Sequence, residues 1–383
     1  MVSFSRRRTQ PGTHALDPKR ATPGNSLTLL KDGAAAFPVM LDAIDSAREA
    51  IILGSYIFAA DRTGRRFCDA LIAARRRGVA VRVLVDGVGS LSTPSEFWQP
   101  LRQAGGRVAI YHPPAPWRPK SEFWRRDHRK LLVVDEQVGF IGGLNIADDY
   151  APVSDGGSGW HDMHACIVGP AACEFTRILN RTWLRITGED FSKSLCQAVP
   201  SGDVDVEIIE NRFRTRSAIH HSYLHAIKRA SRCIRITNAY FIPDRALSRA
   251  LIQAARRGVK VQLLLAGPTD VKPVRYASRA RYMSFMRQGV EIYEWTEAVL
   301  HAKTAVIDGE WCSIGSFNMD HRSLLHNLEA NAVCVNANVG QALDRTFEAD
   351  LARAQRIDPD TWHRRPWLDK LFEQLFYKLR ILL

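Results

Sequence analysis

The feature that most constrains this chain is a motif that occurs twice. Its first copy is His128-Arg-Lys130-Leu-Leu-Val-Val-Asp135, followed by Gly142-Gly143-Leu-Asn145. Its second copy is His301-Ala-Lys303-Thr-Ala-Val-Ile-Asp308, followed by Gly315-Ser316-Phe-Asn318. Each specified position would be matched by chance roughly once in twenty, so two full copies are not a coincidence. The repetition predicts two related units, each with His and Lys on one face of a strand.

Other segments repeat at a similar separation. Tyr56 and Tyr240 lie 184 positions apart, Gly78 and Gly258 lie 180 apart, and Tyr111 and Tyr293 lie 182 apart. In both halves a helical pattern is followed by Gly and then by a Val-rich strand, as at 67–85. This order is typical of an α/β fold with helices on both faces of a sheet. The chain therefore contains an internal two-fold duplication, and the length differences fall in loops.

The duplication suggests domain boundaries. Residues 1–25 are polar, basic and rich in Pro and Gly, and we expect a disordered arm, either a solvated tail or an electrostatic anchor. Residues 26–192 and 206–352 form the two expected domains, joined by a linker at 193–205. Residues 353–383 contain an amphipathic pattern from Trp362 to Leu383, too charged to span a bilayer. That helix could lie in a membrane interface or dock on its own domain or a partner subunit, and its aromatic content favours the membrane.

Composition narrows the class of partner. The chain has 383 residues, a net charge of +13 and a pI of about 9.6. Such a charge suits polyanions, either nucleic acid or an anionic membrane surface, and composition alone does not choose between them. The seven cysteines are scattered and form no Cys-x-x-Cys, which predicts reduced thiols. No apolar run is long enough to predict a membrane-spanning helix.

The paired residues suit phosphoryl transfer. Two Lys and two Asn could hold the non-bridging oxygens of a phosphodiester, where transition-state charge lies. One imidazole could attack phosphorus while the other protonates the departing alkoxide, and the roles would then reverse. Histidine fits this exchange because both of its protonation states are accessible near neutral pH. Brought to a pseudo-two-fold axis, the two half-sites would make one catalytic site.

The twin motifs resemble the phospholipase D superfamily. The segments Asn238-Ala-Tyr240-Phe-Ile-Pro-Asp244, Trp160-His-Asp162 and Arg322-Ser-Leu, with the Asn327-Leu-Glu329 that follows it, make the chain similar to bacterial cardiolipin synthases of the short B-type class. The resemblance covers about Leu27 to Leu351. It implies two tandem homologous α/β/α sandwich domains, each a mixed sheet flanked by helices, related by pseudo-two-fold symmetry and sharing one active site.

The resemblance also implies roles for individual residues. His128 would be the nucleophile and His301 the acid and base, although the reverse is open. Carboxylates in the positions of Glu329 and Asp162 would orient these rings. The expected phosphate-binding residues are Asn145, Asn318 and Ser316. Lys130 and Lys303 complete the two catalytic motifs with Asp135 and Asp308, which follow buried runs and are expected to hold the motif together.

The activity that the resemblance implies is metal-independent phosphatidyl transfer through a phosphohistidine. Phosphatidylglycerol, with a second phosphatidylglycerol or phosphatidylethanolamine, would give cardiolipin at the bacterial membrane, on its cytoplasmic face, without a cofactor and with no nucleic acid partner. The alternatives are a phospholipase D-type phosphodiesterase or headgroup-exchange enzyme, or a superfamily nuclease. A non-catalytic membrane module would leave both motifs without a purpose. Oligomeric state is not predicted.

Two secondary features have competing interpretations. The loop between His112 and Arg126 is basic and aromatic, and carries Trp117, Phe123 and Trp124. It is either an interfacial element for lipid or a surface loop whose aromatics pack on the domain. His221 and His225 have the spacing of a zinc pair, but no third ligand completes it, so a metal site is not expected.

Overall fold

The computed structural model describes residues 14–114, 124–191, 198–212 and 217–382. The strands of the first half are β1 Thr22–Lys31, β2 Ala50–Ser55, β3 Ala80–Asp86, β4 Arg107–Tyr111, β5 Arg126–Asp127, β6 Leu131–Val134, β7 Val138–Gly142 and β8 Met163–Val168. Its helices are α1 Asp32–Ser46, α2 Arg62–Arg76, α3 Gln99–Gln103 and α4 Ala172–Thr187.

The second half repeats this plan. Its strands are β9 Val204–Asn211, β10 Cys233–Asn238, β11 Lys260–Ala266, β12 Glu291–Trp295, β13 Lys303–Ile307, β14 Trp311–Gly315, β15 Asn327–Val335 and β16 Gln355–Arg356. Its helices are α5 Ala218–Arg229, α6 Arg245–Arg256, α7 Lys272–Arg279, α8 Tyr282–Met286, α9 His321–Leu325 and α10 Ala337–Leu351, followed by α11 Pro359–Trp362 and α12 Trp367–Lys378.

One mixed sheet runs through both halves. In the first half the strand order is β4-β3-β2-β6-β7-β8-β1, and in the second it is β12-β11-β10-β13-β14-β15-β9. The two orders are equivalent, and antiparallel pairing of β1 with β9 joins them. In each half three strands are parallel and the motif strands form an antiparallel hairpin. This confirms the predicted tandem α/β fold.

Equivalent helices begin and end in the same way in the two halves. Asp61 caps α2 by accepting from the Gly64 N–H, and Asp244 caps α6 by accepting from the Leu247 N–H, which satisfies orphan donors at each helix start. Past the end of α2, Gly78 has a φ of +98°, a left-handed conformation that favours Gly. Apolar faces of these helices pack on the sheet, and a third buried cluster contains side chains from both halves. The halves therefore share a core.

The predicted boundaries need correction at the amino-terminal end. The 1–25 arm was expected to be disordered, but β1 begins at Thr22 and the side chain of His14 is buried beside Asp308, with Nε2 3.2 Å from Oδ2. Residues 1–13 lie outside the described residues. The predicted linker at 193–205 also ends early, since β9 begins at Val204. Both segments extend further into regular structure than predicted because β1 and β9 are the strands that join the halves.

The carboxyl-terminal pattern does not form one long helix. A short α11 precedes α12, and α12 docks on α7, where Tyr276 contacts Phe372 and Phe376. Glu373 is 3% exposed and pairs with Arg365 at 2.6 Å. Other apolar side chains of the segment remain exposed, namely Trp367, Leu368, Leu371, Leu375, Leu379, Ile381 and Leu382. One face of α12 therefore packs on the protein and another is open.

The motif aspartates anchor the turns that follow the motif strands. Asp135 accepts from the backbone N–H groups of residues 48–50, each at 2.8 Å. Asp308 accepts in the same way from residues 231–233, and its pKa is held well below its usual range, since hydrogen bonds to its ionised form outweigh burial. Both have positive φ. These carboxylates tie each hairpin to the start of the neighbouring parallel strand.

The state of the cysteines can be compared with the prediction of reduced thiols. Five cysteines are free in the part of the chain that the structure describes, and four of these are buried, as expected of small core residues. Cys173 forms a disulfide, so the expectation of reduced thiols throughout is wrong at this residue.

Among the described residues, no helix is both long enough and apolar enough to cross a membrane.

A buried ionic clamp joins the halves next to the motif region. His161 Nδ1 lies 2.7 Å from Asp32 Oδ1, and its Nε2 lies 2.8 Å from Asp350 Oδ2 on α10. Lys31 also pairs with Asp350 at 2.7 Å. Burial opposes the charge on His161, but the two carboxylates outweigh it and raise its pKa to about 9. The imidazolium therefore bridges a carboxylate from each half.

This clamp predicts a pH-dependent stability. Because the folded pKa of His161 is raised, its contribution is complete below the unfolded pKa of about 6.5 and is lost as pH rises through about 9. The wild-type free energy of unfolding should exceed that of His161→Gln by roughly 2–3 kcal/mol at pH 6, and the difference should shrink by pH 10. Denaturant unfolding of both proteins measures this. A difference independent of pH would contradict a charged bridge.

Candidate active site

The two motif histidines are held by the opposite half of the chain. His128 lies between β5 and β6, and its backbone N–H donates to the Leu328 carbonyl at 3.0 Å. The backbone N–H of His301 donates to the His161 carbonyl at 2.7 Å. The short strand β5 also pairs in parallel with β15. Each histidine is thus positioned by backbone from the other domain.

The orienting carboxylates are exchanged in the same way. Glu329, on β15, places both carboxylate oxygens 3.0 Å from His128 Nδ1. Asp162 places Oδ2 2.7 Å from His301 Nδ1. A carboxylate at Nδ1 holds the ring proton there and leaves Nε2 with its lone pair for chemistry. The structure therefore brings both predicted orienters to the two rings, each from the half opposite to its histidine.

Ser316 lies elsewhere than predicted. Its hydroxyl donates to Glu329 Oε2 at 2.5 Å and accepts from the Ala330 N–H, so it supports the carboxylate and is not available to a phosphate. Ser323 and Asn327 also donate to Glu329, at 2.7 and 3.2 Å. In the other half Gly143 takes the equivalent position, where a Cβ would lie 2.2 Å from Asp162 Oδ1. This correction explains why one copy has Ser and the other Gly.

The motif lysines are buried beside their own histidines. Lys130 Nζ donates to the His128 carbonyl at 2.6 Å, and Lys303 Nζ donates to the His301 carbonyl. Both side chains are almost completely buried. Burial lowers the pKa of Lys130 to about 7 and that of Lys303 to about 8, against the pull of Glu329 and Asp162, and the charge of Lys303 lowers the pKa of Lys130 further. An anion bound between them would raise both values again.

The electrostatics of the protein groups around the ring pair favour neutral imidazoles. Burial lowers the pKa of His128 to about 4, although Glu329 opposes it, and burial and Lys303 also lower the pKa of His301. Burial alone would raise the pKa values of Glu329 and Asp162, but their histidine and lysine partners hold both below the usual range. The carboxylates are therefore ionised. A neutral ring is the nucleophilic form of histidine.

The motif asparagines differ in their contacts. Asn145 accepts from the Ile57 N–H at 3.1 Å and donates to the Tyr150 hydroxyl at 2.6 Å. Asn318 is 2% exposed, and its Oδ1 is buried without a hydrogen-bond partner in the described part of the chain. Both side chains line the cavity described next. Asn318 is the one with unused hydrogen-bonding capacity there.

One cavity of about 260 Å³ contains both histidines. Of the predicted catalytic motif residues, His128 and His301 line it, whereas Lys130, Lys303, Asp135 and Asp308 do not. Sequence reasoning missed several residues that do, namely Tyr56, Tyr150, Tyr240, Asp270, Asp320 and Arg322. The duplication had already paired Tyr56 with Tyr240, and this was a signal for the site. The rings of Tyr56 and His128 are 5.0 Å apart, and those of Tyr240 and His301 are 6.2 Å apart.

The remaining predictions concern the His221 and His225 pair and the aromatic loop. His221 Nδ1 is 2.8 Å from the Ser217 carbonyl, and the described residues contain no cluster of three or more side chains suited to a metal ion. Trp117 and Phe123 of the aromatic loop lie outside the described residues. Trp124 is described and is 43% exposed.

Comparison with known proteins identifies the family. The profile described as "Cardiolipin synthase, PLD-like domain" matches residues 40–183 and again residues 223–351. The chain belongs to this family. It is 32% identical to cardiolipin synthase B of Shigella flexneri over 357 residues, covering 90% of this chain and 85% of that protein. It is 31% identical to the major cardiolipin synthase of Bacillus subtilis over 354 residues, covering 91% and 73%.

A solved structure supports the fold. Phosphatidylserine synthase of Haemophilus influenzae superposes with a TM-score of 0.72 at 13% identity and covers 96% of each chain. The match spans both halves, so the tandem arrangement is that of a known fold. Family membership makes this chain a phosphatidyltransferase, which is the class of activity predicted from its motifs.

The exchanged carboxylates predict the effect of Glu329→Gln. The amide can no longer hold the Nδ1 proton with a full negative charge, so His128 would lose both orientation and basicity. We expect kcat to fall by about 10²- to 10⁴-fold with KM little changed. Assays on a short-chain soluble phospholipid measure this, with Glu310→Gln as a matched control outside the cavity. Comparable losses in both variants would contradict a specific role for Glu329.

Proposed function

We propose that this protein joins two phospholipids into cardiolipin through a covalent phosphohistidine, without a metal. The observation that carries the proposal is that two imidazoles, each with a carboxylate from the opposite half, line one cavity. The relatives named cardiolipin synthase support the choice of reaction. Phosphatidylglycerol, or alternatively phosphatidylethanolamine, is the proposed donor, and the acceptor is a phosphatidylglycerol, whose glycerol hydroxyl attacks.

In the first step His128 Nε2 attacks phosphorus of the donor. The bond to the headgroup oxygen breaks, and His301 gives its proton to the departing glycerol. His301 must therefore be protonated when the donor is bound, and the negative phosphodiester favours that state by raising the lowered pKa of the ring. Lys130 and Lys303 stabilise the charge on the non-bridging oxygens. The products are glycerol and a phosphatidyl group on His128.

In the second step the primary hydroxyl of the acceptor lipid attacks the same phosphorus. His301, now neutral, removes the hydroxyl proton, and the bond between phosphorus and His128 breaks. Cardiolipin leaves, and both rings return to their starting states. The assignment of His128 as the nucleophile follows the family resemblance. If His301 were the nucleophile and His128 the acid and base, the same geometry would be needed.

The reaction is tested with purified protein, phosphatidylglycerol vesicles and a chelator of divalent metals. We expect cardiolipin by lipid mass spectrometry, and a phosphatidyl adduct on His128 in peptides from protein denatured and digested at mildly alkaline pH, where the P–N bond survives, with both signals lost in His128→Ala. Phosphatidic acid alone would move the assignment to a phospholipase D-type hydrolase. Cleaved DNA with unchanged lipid would replace it with a nuclease. Cardiolipin formed by His128→Ala would contradict the mechanism.

The open face of α12 is the proposed contact with the bilayer. Trp367, Leu371 and Leu375 lie one turn apart and are 70%, 55% and 47% exposed. Leu382, further along the same segment, lines the catalytic cavity, and so does Val274 of α7, against which α12 packs. An apolar face flanked by Lys370, Lys378 and Arg380 suits the interface of an anionic membrane. Peripheral binding there would bring lipid to the cavity mouth.

Substitution of this face tests the membrane contact without removing the helix. The triple variant with Gln in place of Trp367, Leu371 and Leu375 should bind anionic vesicles about tenfold more weakly or worse, because three apolar side chains are no longer buried in the membrane interface. Turnover of a short-chain soluble substrate should change little. Leu91, Val153 and Val199 are as exposed, at 66%, 72% and 65%, and their Gln triple variant is the control. Equal vesicle binding by both triple variants would contradict the proposal.

A further inference from the structure

The catalytic centre is charge-balanced for one phosphodiester. Lys130 and Lys303 are the buried cations, and ionised Asp162 and Glu329 are the buried anions of the same network. Binding one phosphodiester adds a negative charge, and protonation of one histidine offsets it. Unpaired charge in such a buried site is costly. The centre therefore has no cation left for a second phosphate.

The proposed reaction brings a second phosphate into the same cavity. The acceptor lipid carries its own phosphodiester, separated from the attacking hydroxyl only by the glycerol carbons. Water at the cavity mouth cannot screen the charge of that phosphodiester if the acceptor hydroxyl is to reach the phosphorus of the phosphatidyl-enzyme. A cation lining the cavity outside the two motifs is thus required on physical grounds.

Two arginines line the cavity, and only one is available among the described residues. Arg126 is 1% exposed, and its guanidinium contacts Asp86 at 3.4 Å and the His112 carbonyl at 3.1 Å. Arg322 is partly exposed at the start of α9, and within the part of the chain that the structure describes its guanidinium forms no hydrogen bond or ion pair. Guanidinium groups match phosphate oxygens with paired donors.

The surroundings of Arg322 suit a glycerol-type acceptor. Asp270 and Asp320 line the same cavity, together with the unpartnered Oδ1 of Asn318 and of Asn327. These oxygens accept hydrogen bonds from hydroxyl groups. Burial raises the pKa of Asp320 to about 7, so this carboxyl adds less than a full negative charge near neutral pH. Asp270 already accepts from the Tyr240 hydroxyl at 2.6 Å.

We infer that Arg322 binds the phosphodiester of the acceptor lipid and so makes a lipid alcohol a better acceptor than an uncharged one. This inference rests on the proposed cardiolipin synthesis. Arg322 then has no direct part in the attack on the donor. It positions the second lipid while the hydroxyl faces the phosphatidyl-enzyme.

Two reactions of one enzyme separate the acceptor from the donor. Exchange of isotope-labelled glycerol into phosphatidylglycerol needs the donor phosphate and an uncharged acceptor, whereas cardiolipin synthesis needs a second phosphate. In Arg322→Gln the ratio of synthesis to exchange should fall by about 10- to 100-fold, the range for a lost charge-assisted contact. Arg322→Lys should recover part of the ratio, and Arg345→Gln, an exposed arginine on α10, should leave it at the wild-type value.

The outcomes are distinguishable. Equal loss of both reactions in Arg322→Gln would assign the guanidinium to the donor phosphate or to folding and overturn the inference. An unchanged ratio would overturn it as well. If the wild-type enzyme exchanges glycerol but makes no cardiolipin, the proposed function itself fails and the inference falls with it, and this result is visible before any variant is made.

Discussion

The structure depends on the exchange of carboxylates between its two halves. Glu329 belongs to the second half and holds a ring of the first, while Asp162 belongs to the first half and holds a ring of the second. Backbone hydrogen bonds from Leu328 and His161 follow the same crossed pattern. Neither half contains a complete site. The shared core, the β1–β9 pairing and the His161 clamp are therefore requirements of the chemistry as well as of stability.

Burial gives this arrangement its chemical character. Two lysines and two histidines are almost without solvent, and each loses affinity for protons as a result. A phosphodiester that enters the cavity reverses this effect, since its charge favours the protonated forms. The site is thus prepared for an anion and acquires its acid only when the anion is bound. This coupling is a physical reason for enclosing the pair in a cavity between two domains.

Sequence patterns predicted the fold and most of the centre because the duplication repeats its spacing. The paired motifs indicated which residues would meet, and the downstream carboxylates were recognisable from the family resemblance. The crossing of Glu329 and Asp162 was not predictable, since sequence distance does not tell which domain a side chain faces. Ser316 was misassigned for a different reason, since its hydroxyl donates to Glu329 in the same half and sequence does not show this contact. Asp270 and Asp320 were in no segment singled out from the sequence, and Arg322 was recognised only as part of a segment of family resemblance, so only tertiary packing shows that all three line the cavity.

The most direct test of the shared centre is a crystal structure of the protein with vanadate, an analogue of the pentacoordinate transition state of phosphoryl transfer. We expect one vanadium per chain, bonded to Nε2 of one motif histidine, with Nε2 of the other and both lysine ammonium groups within hydrogen-bonding distance of its oxygens. Two vanadate ions in separate subsites, each beside one histidine, would contradict a single catalytic phosphorus.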